Sequence, residues 1–366
     1  MTGKTWTWPQ LILLATLALL IVSGAAALTV PLMVHSGGDV LLFSAGQQRI
    51  GQRDLYLYDI QHRLLLTLAA HPADDNQPRW SPDGQRVVFD SARSDPPSLW
   101  IVTADGRSLR QLTDLTESSH SGRWSPDGLT IAFVHVPFMG NDQLTLVPAD
   151  GGTSRVVASG LIMDHIRWSP DSARLLFTAG LTDTRRVYVA SVDGPSAVPV
   201  IDQLMRYAVW SPDGTRLALV DDSGIYVARA DDLPVQASAL RRVAGSGPAV
   251  PVWSPDGRFI AYIHNDTAST VVRVVRAESG HLHGSAQSRT ALSDVLWAPD
   301  GQSLLARGTD ALLRIPVKVD VRPPDGIAHV AMSSTPRVGP PAPVAVNPLV
   351  RGLLSHIRGM QWRPSR

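Results

Sequence analysis

Apolar residues in this chain come in short runs, each cut off by a cluster of turn-forming residues. Val87-Val88-Phe89, Thr130-Ile131-Ala132-Phe133, Leu175-Leu176-Phe177, Leu217-Ala218-Leu219 and Phe259-Ile260-Ala261-Tyr262 are too short for helices. They are rich in β-branched and aromatic side chains, so the pattern predicts buried strands. A second set, Leu99-Trp100-Ile101-Val102, Val187-Tyr188-Val189-Ala190 and Ile225-Tyr226-Val227-Ala228, has the same character and predicts further strands. Between the two sets the turns are regular. Trp-Ser-Pro-Asp-Gly or a near copy precedes each strand of the first set: proline presets φ, the aspartate caps the turn and glycine accepts φ > 0. An acidic-glycine turn follows the second set, at Asp105-Gly106, Asp150-Gly151, Asp193-Gly194 and more loosely Glu278-Ser279-Gly280. A more polar fourth strand, such as Arg110-Gln111-Leu112-Thr113, leads to the next unit.

The unit repeats. Its tryptophans are Trp80, Trp124, Trp168, Trp210, Trp253 and Trp297, at steps of 44, 44, 42, 43 and 44 residues. Four strands in a period of about 40–45 residues predict an all-β protein, a β-propeller with one blade per repeat. The count depends on the two ends. Residues 39–70 carry a second, third and fourth strand (Val40-Leu41-Leu42-Phe43, Leu55-Tyr56-Leu57-Tyr58-Asp59, Leu64-Leu65-Leu66-Thr67) but no preceding Trp-Ser-Pro-Asp-Gly, while Met360-Gln361-Trp362-Arg363-Pro364 supplies only a first strand. Pairing the two closes the ring and removes its exposed edges, giving seven blades, or six if residues 320–366 do not fold this way. Residues 321–350, with Pro323, Pro324, Pro336, Pro340, Pro341, Pro343 and Pro348, stretch the last tryptophan step to 65 residues. Proline suits exposed edges and extended loops, so this stretch reads as an insertion between a third blade strand and the closing strand, or as a loop that binds a partner.

The repeat, with aromatic-Val-x-x-Asp-Gly and Arg-x-Leu-Thr following Trp-Ser-Pro-Asp-Gly-x-x-hydrophobic-x-Phe, resembles the WD40-like (PD40) propeller repeat of the TolB family over nearly all of residues 39–366. The resemblance implies a domain used mainly for protein contacts in the bacterial envelope. TolB itself resembles a propeller preceded by a sizeable α/β domain, and only 38 residues precede the first blade here, so the Tol-Pal role is not implied. Related propellers also precede prolyl-oligopeptidase-type hydrolases. No Gly-x-Ser-x-Gly nucleophile elbow occurs in the chain; Gly245-Ser246-Gly247 and Gly194-Pro195-Ser196 lack its spacing. The aspartate of each Trp-Ser-Pro-Asp-Gly recurs in every blade, as a turn former must and a catalytic acid need not.

Composition narrows the partners. There is no cysteine among the 366 residues, which excludes disulfides, thiolate zinc sites and anchoring through a lipidated cysteine. A net charge of +1 and the lack of a Lys/Arg stripe argue against nucleic acid. No cofactor is implied, and a single large core suits a monomeric propeller. Residues 1–35 form the other distinct segment. Leu11 to Val22 is apolar apart from Thr16, apolar character resumes to Val34, and no charge lies between Lys4 and Asp39. About 20 apolar residues span a membrane, and Lys4 with the free amine places the N-terminus inside. The expectation is a signal anchor holding the propeller, residues 36–366, outside the cytoplasm. The alternative is a signal peptide cleaved near Ala27, leaving a secreted or periplasmic protein.

A binding site is expected where the first strands enter the central channel, three and four places before each tryptophan. Those positions hold Asn76 and Gln77, His120 and Ser121, Asp164 and His165, Arg206 and Tyr207, Ala249 and Val250, Ser293 and Asp294, and Arg358 and Gly359. Asn76, His120, Asp164, His165, Arg206, Tyr207, Asp294 and Arg358 are the candidate ligand contacts. Unlike the turn residues they differ between blades, and strand alternation turns one of each pair inward. Arg206 and Arg358 have the chemistry to clamp a carboxylate; His120, His165 and Asp164 could hold a divalent metal if they converge. His281 and His283 share one side of a strand and read as exposed and unliganded. Arg79, Arg123 and Arg167, each before a tryptophan, read as stacking between blades. Two functions fit: a non-catalytic, membrane-tethered propeller binding a protein or envelope component, or a carbohydrate-active lyase or hydrolase working at the polar channel mouth.

Overall fold

The computed structural model describes residues 40–46, 53–113, 116–181, 184–245, 250–266, 269–288, 290–308, 312–317, 342–343 and 358–364. The N-terminal anchor expected over residues 1–35 lies outside them, as does most of 321–350. Among the described residues no helix is long and apolar enough to cross a membrane.

Seven antiparallel four-stranded sheets form seven blades. Their innermost strands end in the repeating tryptophans: Arg358–Trp362 in blade 1, then Asp75–Trp80, Ser118–Trp124, Asp164–Trp168, Tyr207–Trp210, Val252–Trp253 and Leu292–Trp297 in blades 2 to 7. Blade 1 is the closing blade. The C-terminal strand pairs with Val40–Gly46, which pairs in turn with Arg53–Asp59 and Leu64–Ala69; Leu41 faces Trp362 and Leu42 faces Gln361 across the seam. The six-blade alternative is thereby set aside.

Ala342–Pro343, from within the proline-rich stretch, supplies the outermost strand of blade 7 and pairs with Leu313 and Arg314. That stretch is therefore not wholly an insertion. Its dipeptide strand escaped the hydrophobic pattern because an edge strand tolerates proline and needs no apolar run.

The period-2 alternation of each strand divides the core into seven clusters, one between each pair of neighbouring blades. Val87 and Phe89 pack toward Leu42, Leu55 and Leu57 of blade 1. Val88, between them, packs toward Trp124, Ile131 and Phe133 of blade 3. The last cluster joins Leu305 and Leu312 of blade 7 to Leu41, Phe43 and Tyr58 of blade 1, so the ring closes through side chains as well as backbone.

The turn sequence earns its recurrence. In blade 5, Ser211 Oγ donates to Asp213 Oδ1 at 2.5 Å, and that oxygen also accepts the Thr215 N–H at 3.1 Å. The serine and aspartate repeat this in blades 2, 3, 4 and 6. The serine hydroxyl holds the carboxyls of Asp171 and Asp213 below the ordinary value. At Asp83, Asp127 and Asp256 partial burial pushes the other way, yet the serine hydroxyl and a backbone N–H outweigh it.

Candidate functional site: the channel and its mouth

Each innermost strand starts at one end of the ring and reaches its tryptophan near the other. The hairpins joining second to third strands, and the loops leading into each next blade, therefore lie at the mouth end. The Ser-Pro-Asp-Gly turns lie opposite.

The candidate residues reach the mouth but do not form one ring of contacts. Asn76 Oδ1 accepts from Arg53 Nη1 at 3.2 Å. His120 Nδ1 lies 3.0 Å from Ser121 Oγ. Asp164 Oδ1 accepts the His165 N–H at 2.6 Å, and its other oxygen is 3.5 Å from His165 Nδ1. His165 meets Tyr207 edge-on, ring centroids 4.8 Å apart. Arg206 lies over Tyr207 and pairs with the exposed Asp222 at 3.3 Å. On the far side of the ring, Asp294 Oδ2 accepts from Arg307 Nε at 2.9 Å. The side chain of Arg358 lies outside the described residues. Asp164, His165, Arg206 and Tyr207 thus meet across blades 4 and 5, beside a surface depression of ≈ 690 Å³ lined by Arg185, Leu204, Arg206, Tyr207 and Asp222. Asn76 and Asp294 belong to separate local pairs.

Among the described residues no three of His, Asp and Glu are placed to hold a metal ion, so His120, Asp164 and His165 do not make the metal site their chemistry allowed. Burial, against the pull of Asp164 and with the push of Arg167, Arg185 and Arg123, keeps the His165 imidazole below its usual pKa.

Two expectations are corrected. His281 is exposed, but His283 is buried at 5% exposure against Phe259, with ring centroids 4.5 Å apart. A register shift between Val274 and Val275 in the partner strand separates two side chains that simple alternation would have put together. The arginines that stack between blades are also different ones. Arg86 lies over Trp124, Arg174 over Trp210, Arg216 over Trp253 and Arg363 over Trp80. In the first three the cation sits six places after its own tryptophan and covers the next blade's indole.

Arg79, Arg123 and Arg167 line the channel instead. In blades 2 to 7 the residue before the tryptophan is partly exposed and the one before that is buried, the alternation of a wall with one face to the lumen. Each of these arginines donates Nη1 to the carbonyl of the residue preceding it, at 2.9, 2.9 and 3.0 Å. Arg123 Nη2 also donates to Gln77 Oε1 at 3.5 Å, and Gln77 Nε2 donates to Ser121 Oγ at 3.4 Å. Burial first, then repulsion from Arg167, lowers Arg79 to about 10. Burial and its two arginine neighbours take Arg123 well below the usual guanidinium value. Asp90 answers part of this charge: both its oxygens accept the Ser121 N–H, at 2.9 and 3.0 Å, and burial raises its carboxyl.

Residues 34–214 match the family model of the TolB beta propeller domain. The chain is a TolB-like β-propeller protein. It is 27% identical over 129 residues to an uncharacterized protein of Agrobacterium fabrum, covering 32% of this chain and 44% of that one; the chain thus spans less than half of that relative. Among solved structures, TolB from Acinetobacter baumannii superposes with a TM-score of 0.50 at 14% identity, covering 67% of this chain and 62% of that one. An oligogalacturonate lyase in complex with manganese gives 0.55 at 14% identity, covering 75% and 81%. A prolyl endopeptidase gives 0.58 at 11%, covering 76% and 46%. At such identities these likenesses establish a shared propeller and nothing about chemistry.

Proposed function

We propose that this TolB-like propeller is a non-catalytic binding protein that docks a protein partner on its mouth face. One observation carries the reading. Phe138 and Met139 stand 91% and 79% exposed at the tip of a hairpin in blade 3, and Leu161, Ile162, Leu181 and Leu204 are also exposed. All six sit on the loops that strand direction places at the mouth end of blades 3, 4 and 5. Large apolar side chains gathered on one face of a soluble fold mark an interaction surface, and long hairpins on a rigid scaffold are where contacts concentrate.

The polar groups of the mouth support binding over catalysis. Asp294 with Arg307, Arg206 with Asp222 and Asn76 with Arg53 are already engaged in pairs, which suits a surface more than a reaction centre. We place the propeller outside the cytoplasm, tethered by the apolar segment from Leu11 to Val34; that rests on the sequence, and the partner is then a protein or other envelope component. The test is recovery of a partner by tagged full-length chain, wild type against Phe138→Ser with Met139→Ser. Loss of one specific protein in the variant supports the proposal. Equal recovery by both chains, or no recovery by either, removes it.

A further inference from the structure

The channel wall is divided in two. Immediately before the tryptophans, blades 2 to 4 present Arg79, Arg123 and Arg167, while blades 5 to 7 present Val209, Val252 and Leu296; Gln361 of blade 1 lies between the halves. We propose that this channel binds a small amphiphilic anion, a carboxylate carrying a hydrocarbon body, held between the arginine half and the aliphatic half. The site is separate from the mouth-face surface and stands or falls apart from it.

Repeated architecture does not call for these arginines. Stacking on the next blade's tryptophan is carried by Arg86, Arg174, Arg216 and Arg363, and blades 5 to 7 close with aliphatic residues at the same place. Among the described residues, Arg123 feels the repulsion of Arg79 and Arg167 and the attraction of the carboxylates of Asp90 and Asp164. Of those two acids, Asp90 is already committed to a backbone N–H. Arg123 also keeps a buried Nε–H with no acceptor, a donor that a ligand oxygen would satisfy. The guanidinium fork matches a carboxylate in shape and charge. The opposite wall selects among anions: Val209, Val252 and Leu296 give phosphate or sulfate nothing, whereas a hydrocarbon chain gains by leaving water against them.

The probe is hexanoate, titrated calorimetrically into the full-length protein, with inorganic phosphate as the second titrant. The variants are Arg123→Gln, Arg167→Gln and Val252→Asn, each checked by its melting curve; Arg167→Gln is read if Arg123→Gln does not fold. Hexanoate is expected to bind one to one and to weaken with salt. Loss of one arginine should weaken it about tenfold, the scale of one charge-assisted contact, and Val252→Asn should weaken it several-fold. No heat with hexanoate overturns the proposal, as does unchanged affinity in the arginine variants. Phosphate binding as tightly as hexanoate, with no response to Val252→Asn, also overturns it, because the wall would then be a plain anion trap.

Discussion

Arg363→Ala is the sharpest test of how the ring is held. The C-terminal strand is short, and Arg363 follows its tryptophan directly. Its side chain is 5% exposed, its Nη2 donates to the Gly84 carbonyl at 2.9 Å, and its guanidinium lies 5.4 Å from the Trp80 ring centre. Arg216 does the same between blades 5 and 6, donating to the Gly257 carbonyl at 2.8 Å. Arg363 therefore performs a regular blade-to-blade contact from an irregular position. A buried hydrogen bond from a charged donor contributes about 1.5–3 kcal/mol, and a cation–π contact about 0.5–2 kcal/mol depending on desolvation. The two share one side chain and do not simply add, so we expect a loss of about 2–4 kcal/mol. Arg86→Ala is the control. Arg86 covers Trp124 at 4.8 Å, but its ion-pair partner Asp150 has a side chain that is 90% exposed. The pair therefore adds little to the cation–π contact, and loss of Arg86 should cost about 0.5–2 kcal/mol, less than that of Arg363. Urea unfolding of the full-length chain, followed by tryptophan fluorescence, measures both. If Arg363→Ala costs no more than Arg86→Ala, the C-terminal strand is not what fastens the seam, and the closure argument fails.

Other consequences can be checked with the same assay. As pH falls from above 6.5, the ordinary histidine value, the unfolded chain takes up a proton before the folded His165 does; stability should decline through that window, and His165→Asn should remove the step. The depressed carboxyls of Asp171 and Asp213 keep their contribution above 3.8 and lose it as pH drops further, whereas Asp75 and Asp90, raised by burial, act in the opposite sense above that point. The steeper loss therefore belongs below 3.8, and Asp213→Asn should flatten part of it. Gly280→Ala should destabilise by about 1–3 kcal/mol, since that residue sits at φ +71 and a Cβ would lie 2.9 Å from the Val243 backbone; an unchanged urea midpoint would refute this. Phe138→Ser with Met139→Ser should leave the midpoint unchanged, because exposed side chains give up little on unfolding.

The sequence made the blades legible because every blade needs the same parts. A turn must reverse the chain after each innermost strand, and one serine and one aspartate satisfy it in the same way at Ser81-Asp83 and at Ser254-Asp256. The site was harder to read, for a reason visible in the backbone. Gln77, Ser121 and His165 all adopt positive φ, at 49°, 63° and 55°, and the innermost strands of blades 2, 3 and 4 break register there. Counting strand alternation through those points from the mouth loses track of which face looks inward. Counting back from the tryptophan crosses no such break and turns the preceding residue toward the lumen. The same count exposes the asymmetry: arginine in three consecutive blades, aliphatic residues in the next three. A repeat protein hides function wherever all copies agree, since agreement is what packing demands. Its chemistry is to be sought at a position whose orientation the repeat fixes and whose residue it leaves free. In this chain the place before the tryptophan meets both conditions.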